Sequence, residues 1–374
     1  MKKIAVLAVV LALISGLCAC GSPVGSTPTG SGAADGAATA APASAGTNES
    51  TGNKFDGLGN YEFTLSMHDP STSNNGMFYK AWADKIEEET EGHVKIEIYY
   101  SGQLASSNDV SDMVESGGVD IGWVFTSFYA GQFPLTDITQ FPFIGFGEAV
   151  STTETLWDLY EKYPELQAEW DSYKLLFLYG NPGNIFASSK GEIRTPNDVR
   201  NQVMRTPSGP ITDLMNAMGG SPTVMGPGDM FDAIQKNVIS GFVFEPAGIT
   251  NFSLQEAAKM YYTDYAMYDA AFALVMNWDQ WNSLPEEFQK IIEDNSGREA
   301  SLLAAQDFQD AADKAKQTIA DAGNEWITLT ADEIQAFEDM AQPVVESWVQ
   351  KYSTNSFDYQ AYVDDAVALL QNYK

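Results

Sequence analysis

Apolar and polar positions alternate in YEFTLSMH, where Phe63, Leu65 and Met67 share a face, and again in HVKIEIYY, where Val94, Ile96, Ile98 and Tyr100 do. A period of two predicts strands. Between them, residues 76–91 change to a helical period, with Phe78, Trp82 and Ile86 on one side and Gly92 as the stop. SGQLASSNDVSDMVESGG reads as a loop and a short helix, and VDIGWVF as a buried strand. The order βαβαβ predicts a parallel sheet with right-handed crossovers. Ligands of such sheets bind beyond the carboxyl ends of the strands, which puts His68 and the run from Trp123 to Phe125 near a common rim.

Farther along, a Phe/Pro-rich loop precedes a helix around 151–160 and the strand YKLLFLY, and a new unit opens at NPGNIFASS. In residues 202–246 a short apolar segment carries Arg205 into a Thr-Pro turn. An amphipathic helix, a double-glycine stop, a second helix and an apolar run to Glu245 and Pro246 follow. A second α/β domain fits this pattern better than one enlarged sheet. DAAFALVMN reads as a returning strand and residues 285–322 as a long helix spanning both domains. WITLT is a short strand, and TADE is a capping box that opens the first of two final helices. The expected layout is domain I at 61–180 plus about 269–285, domain II at 181–268, and C-terminal helices at 286–374 packing across both.

The ends and the composition narrow the setting. Two lysines and the apolar residues 4–14 form a signal peptide, since that run is too short to span a bilayer. Leu17, Cys18, Ala19 and Cys20 resemble a bacterial lipobox, with Cys20 as the lipidated mature N-terminus; plain cleavage after a small residue is the alternative. Residues 21–60 are Gly, Ser, Thr, Ala and Pro with few large apolar side chains, a flexible tether. Both cysteines lie in the export segment, so the body has no disulfide. A formal net charge of −31 argues against nucleic acid or anionic lipid as partner. With only two histidines, His68 and His93, a histidine-based metal cluster is not expected, and no cofactor motif is visible.

Five segments in order then resemble the solute-binding proteins of tripartite ATP-independent periplasmic (TRAP) transporters, the C4-dicarboxylate-binding type. They are GHVKIEIYYSGQLASSNDVSDMVESGGVDIGW, FPLTDITQFPF, IRTPNDVRNQVMRTP, MNAMGGSPTVMGPGDMFDAIQKNVISGF and FALVMNWDQWNSLPEEFQKII. The resemblance implies a two-domain periplasmic-binding-protein fold, each domain a parallel-rich sheet flanked by helices, with a long helix spanning both. It further implies a binding protein without catalysis that closes on a small carboxylate-containing solute and hands it to a membrane permease. Two other classes are weighed against it. One is a sensor subunit presenting ligand to a signalling receptor, and the other a secreted hydrolase, for which no serine elbow is seen.

Read from the residues, Arg205 is either a surface arginine of an ordinary βαβ unit or an anion anchor. The resemblance implies the anchor, because in that family the arginine after the central strand grips the ligand carboxylate. A guanidinium fork matches a carboxylate and stays charged when buried. Asn184 stands where many members carry a second basic residue. SGFVFEP departs from the pattern of dicarboxylate readers, so dicarboxylate specificity does not carry over. Glu245 has two readings: it points to solvent or a structural lysine, or it pairs with an ammonium or hydroxyl of the solute. Trp123, Phe125, Phe186 and Phe244 are expected to take a polar or aromatic remainder, with His68 and Met225 as further contacts or as packing.

Overall fold

The computed structural model describes residues 54–129 and 131–374; the signal peptide, Cys20 and nearly all of the tether lie outside the described residues. In chain order the strands are β1 (Tyr61–Ser66), β2 (Val94–Tyr99), β3 (Ile121–Phe125) and β4 (Lys174–Gly180). Then come β5 (Ile185–Ser188), β6 (Val203–Thr206), β7 (Ser221–Val224) and β8 (Gly241–Phe244). Last are β9 (Tyr261–Thr263), β10 (Ala271–Met276) and β11 (Glu325–Ile327).

They form two sheets, ordered β2-β1-β3-β10-β4 and β11-β9-β5-β8-β6-β7. The alternation read in β1 is met: Phe63 and Leu65, with Met67 just beyond, are buried on one side. β1 pairs in parallel with β2 and β3, as a βαβαβ unit requires. β6 likewise pairs in parallel with β7 and β8. The antiparallel pairs occur where the chain changes sheet: β10 runs against β3 and β4, and β5 against β8 and β9.

The chain crosses between sheets at 181–184 and returns at 264–270, and these crossings are bonded to each other. Asn184 N–H donates to Tyr268 O and Met267 N–H to Asn184 O, both at 2.9 Å. Asn181 Oδ1 accepts from Ala270 N–H at 2.7 Å. Only a residue without a side chain fits at Gly183, where a Cβ would lie 2.2 Å from Ala266 Cβ and 2.7 Å from the Gly147 carbonyl. Gly183→Ala is therefore expected to cost about 1–3 kcal/mol through overpacking. An unchanged urea midpoint would refute the close crossing.

Helices fasten both sheets. The helix Asn74–Glu89 buries Tyr79, Trp82, Ala83 and Ile86 against the first sheet. The expected long helix is two: Glu286–Asp294 ends at Asn295, and Gly297–Asp321 begins after Ser296. Gly297–Asp321 packs on β4 and on the helix Pro246–Asn251 that follows β8. Its Ala304, Ala305 and Phe308 join the larger core, while Ile319 joins the core under the second sheet. The capping box at Thr330 is present: Thr330 N–H donates to Glu333 Oε2 at 2.7 Å, and Glu333 N–H returns to Thr330 Oγ1 at 3.3 Å. It opens the helix Ala331–Tyr352, whose Trp348 indole donates to Asp213 of the second-sheet side at 2.8 Å. The last helix, Tyr359–Leu370, is tied through Tyr362 OH to the Leu135 carbonyl at 3.0 Å.

Candidate ligand-binding site

The carboxyl ends of β1, β3, β6 and β8 meet where the two sheets face each other, the position at which α/β sheets bind ligands. A cavity of about 20 Å³ is enclosed there by His68, Asp69, Asn75, Trp123, Phe125, Asn181 and Pro227. Phe244, Glu245, Gly248, Phe252, Phe272 and Phe308 complete it. That volume holds roughly one water. A wider depression of about 510 Å³ lies elsewhere, along the C-terminal helices beside Glu338, Asp339 and Glu346. It is open to solvent and offers no buried, unpaired polar group, so the chemistry of a site is in the small cavity.

Its aromatic wall is a stack built on adjacent strands. Trp123 and Phe125 on β3 each lie 4.7 Å, centroid to centroid, from Phe272 on β10. His68 covers Trp123 at 4.5 Å. The Trp123 indole donates to Tyr179 OH at 2.8 Å, which fixes the ring's rotation. Burial, with Arg205 adding, pushes His68 down to about 3, so its imidazole is neutral.

Arg205 is 1% exposed, an extreme for an arginine. β6 aims it under β8: Nε donates to Met225 O and Nη1 to Val243 O, both at 3.1 Å. The guanidinium sits 5.0 Å over the Phe244 ring. Nη2 is buried and has no hydrogen-bond partner among the described residues. Burial brings its pKa down to about 10, opposed by Tyr268 and Glu245, and it stays a cation at neutral pH. A fixed cation with one donor nitrogen unspent has the chemistry to meet a carboxylate. Tyr268 OH, also buried, is likewise without a partner.

Glu245 corrects one reading of the sequence. It reaches neither solvent nor a lysine, being 2% exposed, with Oε1 accepting from Gly248 N–H at 2.6 Å. It is the N-cap of the helix Pro246–Asn251, with Pro246 at the first helical position. Its Oε2 is buried and unpaired. Burial pushes the carboxyl up to about 8 against the pull of the Gly248 amide, with Asp69 adding to the rise. Asp69 itself is pushed up to about 6 by burial, against the donors Asn75 and Ser73.

Of the residues singled out in the sequence, the cavity thus gathers His68, Trp123, Phe125, Phe244 and Glu245. Arg205 stands behind Phe244. Three others do not line it. The Asn184 amide is spent on Asn181 Oδ1 and Tyr268 O, both at 3.3 Å, within the crossover. Phe186 packs against Phe337 at 5.6 Å. Met225 contributes its carbonyl to Arg205. Asp69, Asn75, Asn181, Phe252, Phe272 and Phe308 were missed. Asp69 had a signal, as the neighbour of His68 at a strand end. Phe272 and Phe308 had none, because they sit in apolar runs that read as core.

The profile of the bacterial extracellular solute-binding proteins, family 7 (DctP), matches residues 65–351. The chain belongs to this family. Family 7 proteins are extracytoplasmic solute-binding components of transporters and not enzymes, so the hydrolase alternative falls. Among solved structures, a TRAP solute-binding protein from Rhodoferax ferrireducens, in complex with copurified benzoate, is 25% identical with a TM-score of 0.78. The match covers 83% of this chain and 98% of that one. A marine-metagenome TRAP protein specific for aromatic acid ligands, co-crystallised with 3-hydroxybenzoate, is 24% identical with a TM-score of 0.79, covering 84% and 99%. The outer membrane transporter protein TsaT of Comamonas testosteroni is 25% identical over 308 residues, 80% of this chain and 88% of that protein. Among the described residues of this family 7 chain no helix is long and apolar enough to cross a membrane, and no acidic, histidine or cysteine group could hold a metal ion.

Proposed function

We propose that this family 7 protein captures a small organic acid between its two sheets, with the solute carboxylate on Arg205, and delivers it to a TRAP-type permease. The observation that carries this is the buried Nη2 of Arg205, a charged donor left unpaired beside an aromatic cavity. The aromatic wall favours an acid with an apolar or aromatic body, in line with the benzoate and 3-hydroxybenzoate named for the two structural relatives. Because the cavity is about 20 Å³, the sheets part at the 181–184 and 264–270 crossings to admit a solute and close over it. Cys20 is the proposed lipid attachment point. Cys20→Ala is expected to release the protein from the membrane fraction.

A thermal-shift screen of aromatic and aliphatic acids against their uncharged amides tests capture. A ligand at about a hundred times its dissociation constant adds roughly 2.7 kcal/mol, a rise of several degrees for a chain this size. Acids are expected to shift the melting temperature and amides not to. Equal shifts from both would rule out a carboxylate anchor.

A further inference from the structure

The charges around the cavity do not suit a plain acid. Arg205 brings one fixed positive charge. Asp69 and Glu245 both line the cavity, and Asp69 adds to the rise of Glu245. The Oε2 of Glu245 is buried and has no hydrogen-bond partner among the described residues, so it is left to pair with a ligand group. Trp123, Phe244, Phe272 and Phe308 occupy the walls around these carboxyls. Carboxyls set among aromatic side chains favour a cation that is partly apolar.

We propose that the solute is a zwitterion: its carboxylate lies on Arg205, and a cationic nitrogen of the same molecule lies between Glu245 and Asp69 against the aromatic walls. This rests on the reading of Arg205 as the carboxylate anchor. Asp69, at about 6, is ionised at neutral pH, while Glu245, at about 8, keeps its proton. The other charged group that acts on Glu245 is Arg205, and His68, which lines the same cavity, is neutral. A monocarboxylate would set a negative charge beside Asp69 and Glu245 with no cation of its own, and an unpaired buried charge is costly. A zwitterion carries its own cation to these two carboxyls. Its cation gives Oε2 a partner and draws the proton off Glu245, so capture strengthens as pH rises from about 6 to about 8.

The test is calorimetric titration of the full chain with matched sets that share a skeleton. These are L-phenylalanine, 3-phenylpropanoate and phenethylamine; L-leucine, 4-methylpentanoate and isopentylamine; and glycine betaine, 3,3-dimethylbutanoate and tetramethylammonium. Wild type, Glu245→Gln, Asp69→Asn and Arg205→Lys are compared. At least one zwitterion is expected to bind about tenfold or more tightly than its carboxylate-only partner. Glu245→Gln keeps a carbonyl oxygen for Gly248 N–H, so the helix cap survives. It should weaken that zwitterion about tenfold, flatten the part of the pH dependence above about pH 7, and weaken the plain acid clearly less than the zwitterion. Asp69→Asn should act in the same sense. The proposal is overturned if plain acids bind as tightly as zwitterions, if both acidic variants weaken the two classes equally, or if no zwitterion binds. Failure of the anchor looks different: Arg205→Lys would then leave carboxylate binding intact, whatever Glu245 does.

Discussion

Arg205→Lys is expected to weaken solute capture by about 2–5 kcal/mol, on the order of 30-fold or more, while the chain still folds. Two of the three guanidinium nitrogens are committed, Nε to Met225 O and Nη1 to Val243 O, and only Nη2 is free for the solute. A lysine ammonium in that channel is a point charge on a single nitrogen. It can meet the carbonyls or the carboxylate, and it cannot present the planar fork to both. It also loses the flat stacking of guanidinium on Phe244. Lysine is the informative replacement because Met or Ala would leave both carbonyls unpaired, at about 1–3 kcal/mol each, and confuse folding with binding. Calorimetric titration with a solute identified by the thermal screen measures the loss, and the ligand-free melting temperature controls for folding. Wild-type affinity in Arg205→Lys would show that the solute carboxylate is held elsewhere.

How far the sequence could be read follows from what each residue had to announce. Strand β1 and the helix Asn74–Glu89 bury one face and expose the other, so their periods are visible in the residues. β7 reads SPTV, contains a proline, and lies at the sheet edge with no buried residue, so no alternation marks it. The break between Glu286–Asp294 and Gly297–Asp321 falls at Asn295 and Ser296, inside a helical pattern that continues on both sides. Gly297, at φ +75°, is the one local sign of it. In the candidate site, Glu245 was nameable as a polar residue at a strand end, Trp123 as an aromatic on a strand leading to the rim, and Arg205 as an anchor through the family resemblance. Phe308 and Phe272 come together only because the long helix lies across β4 and β10 brings its ring to the Trp123 stack. No local pattern in the sequence encodes that meeting. Glu245 as a helix cap was readable from the Glu-Pro pair, and its burial was not, since burial depends on the opposing sheet.

The ligand-free protein is expected to lose stability as pH rises from about 6.5 to about 8.5, because it buries carboxyls that resist ionisation. Burial pushes Asp137 up to about 7, and Glu169 and Asp269 up to about 8, alongside Glu245. In each case the folded chain keeps a proton that the unfolded chain has already released. Stability from these groups is therefore complete below the ordinary carboxyl range and is lost as pH passes through the folded values. His68 works the other way, since the unfolded chain takes a proton below about 6.5 that the folded chain refuses down to about 3. Its influence ends where the window begins, so the fall above 6.5 belongs to the carboxyls. A single group titrating near 8 accounts for about 2 kcal/mol over this interval. Asp269 isolates one of them. It is wholly buried at the return crossing and receives the Thr152 hydroxyl on Oδ2, while its Oδ1 has no hydrogen-bond partner among the described residues. Asp269→Asn keeps the shape and an acceptor for Thr152 but cannot ionise. Denaturant titrations at a series of pH values should show a shallower fall for this variant than for wild type, with the two curves diverging from the start of the window and running parallel above about pH 8.5. A wild-type stability that is flat or rising across the window would mean that these carboxyls are ionised and solvated in the folded chain, contrary to their burial.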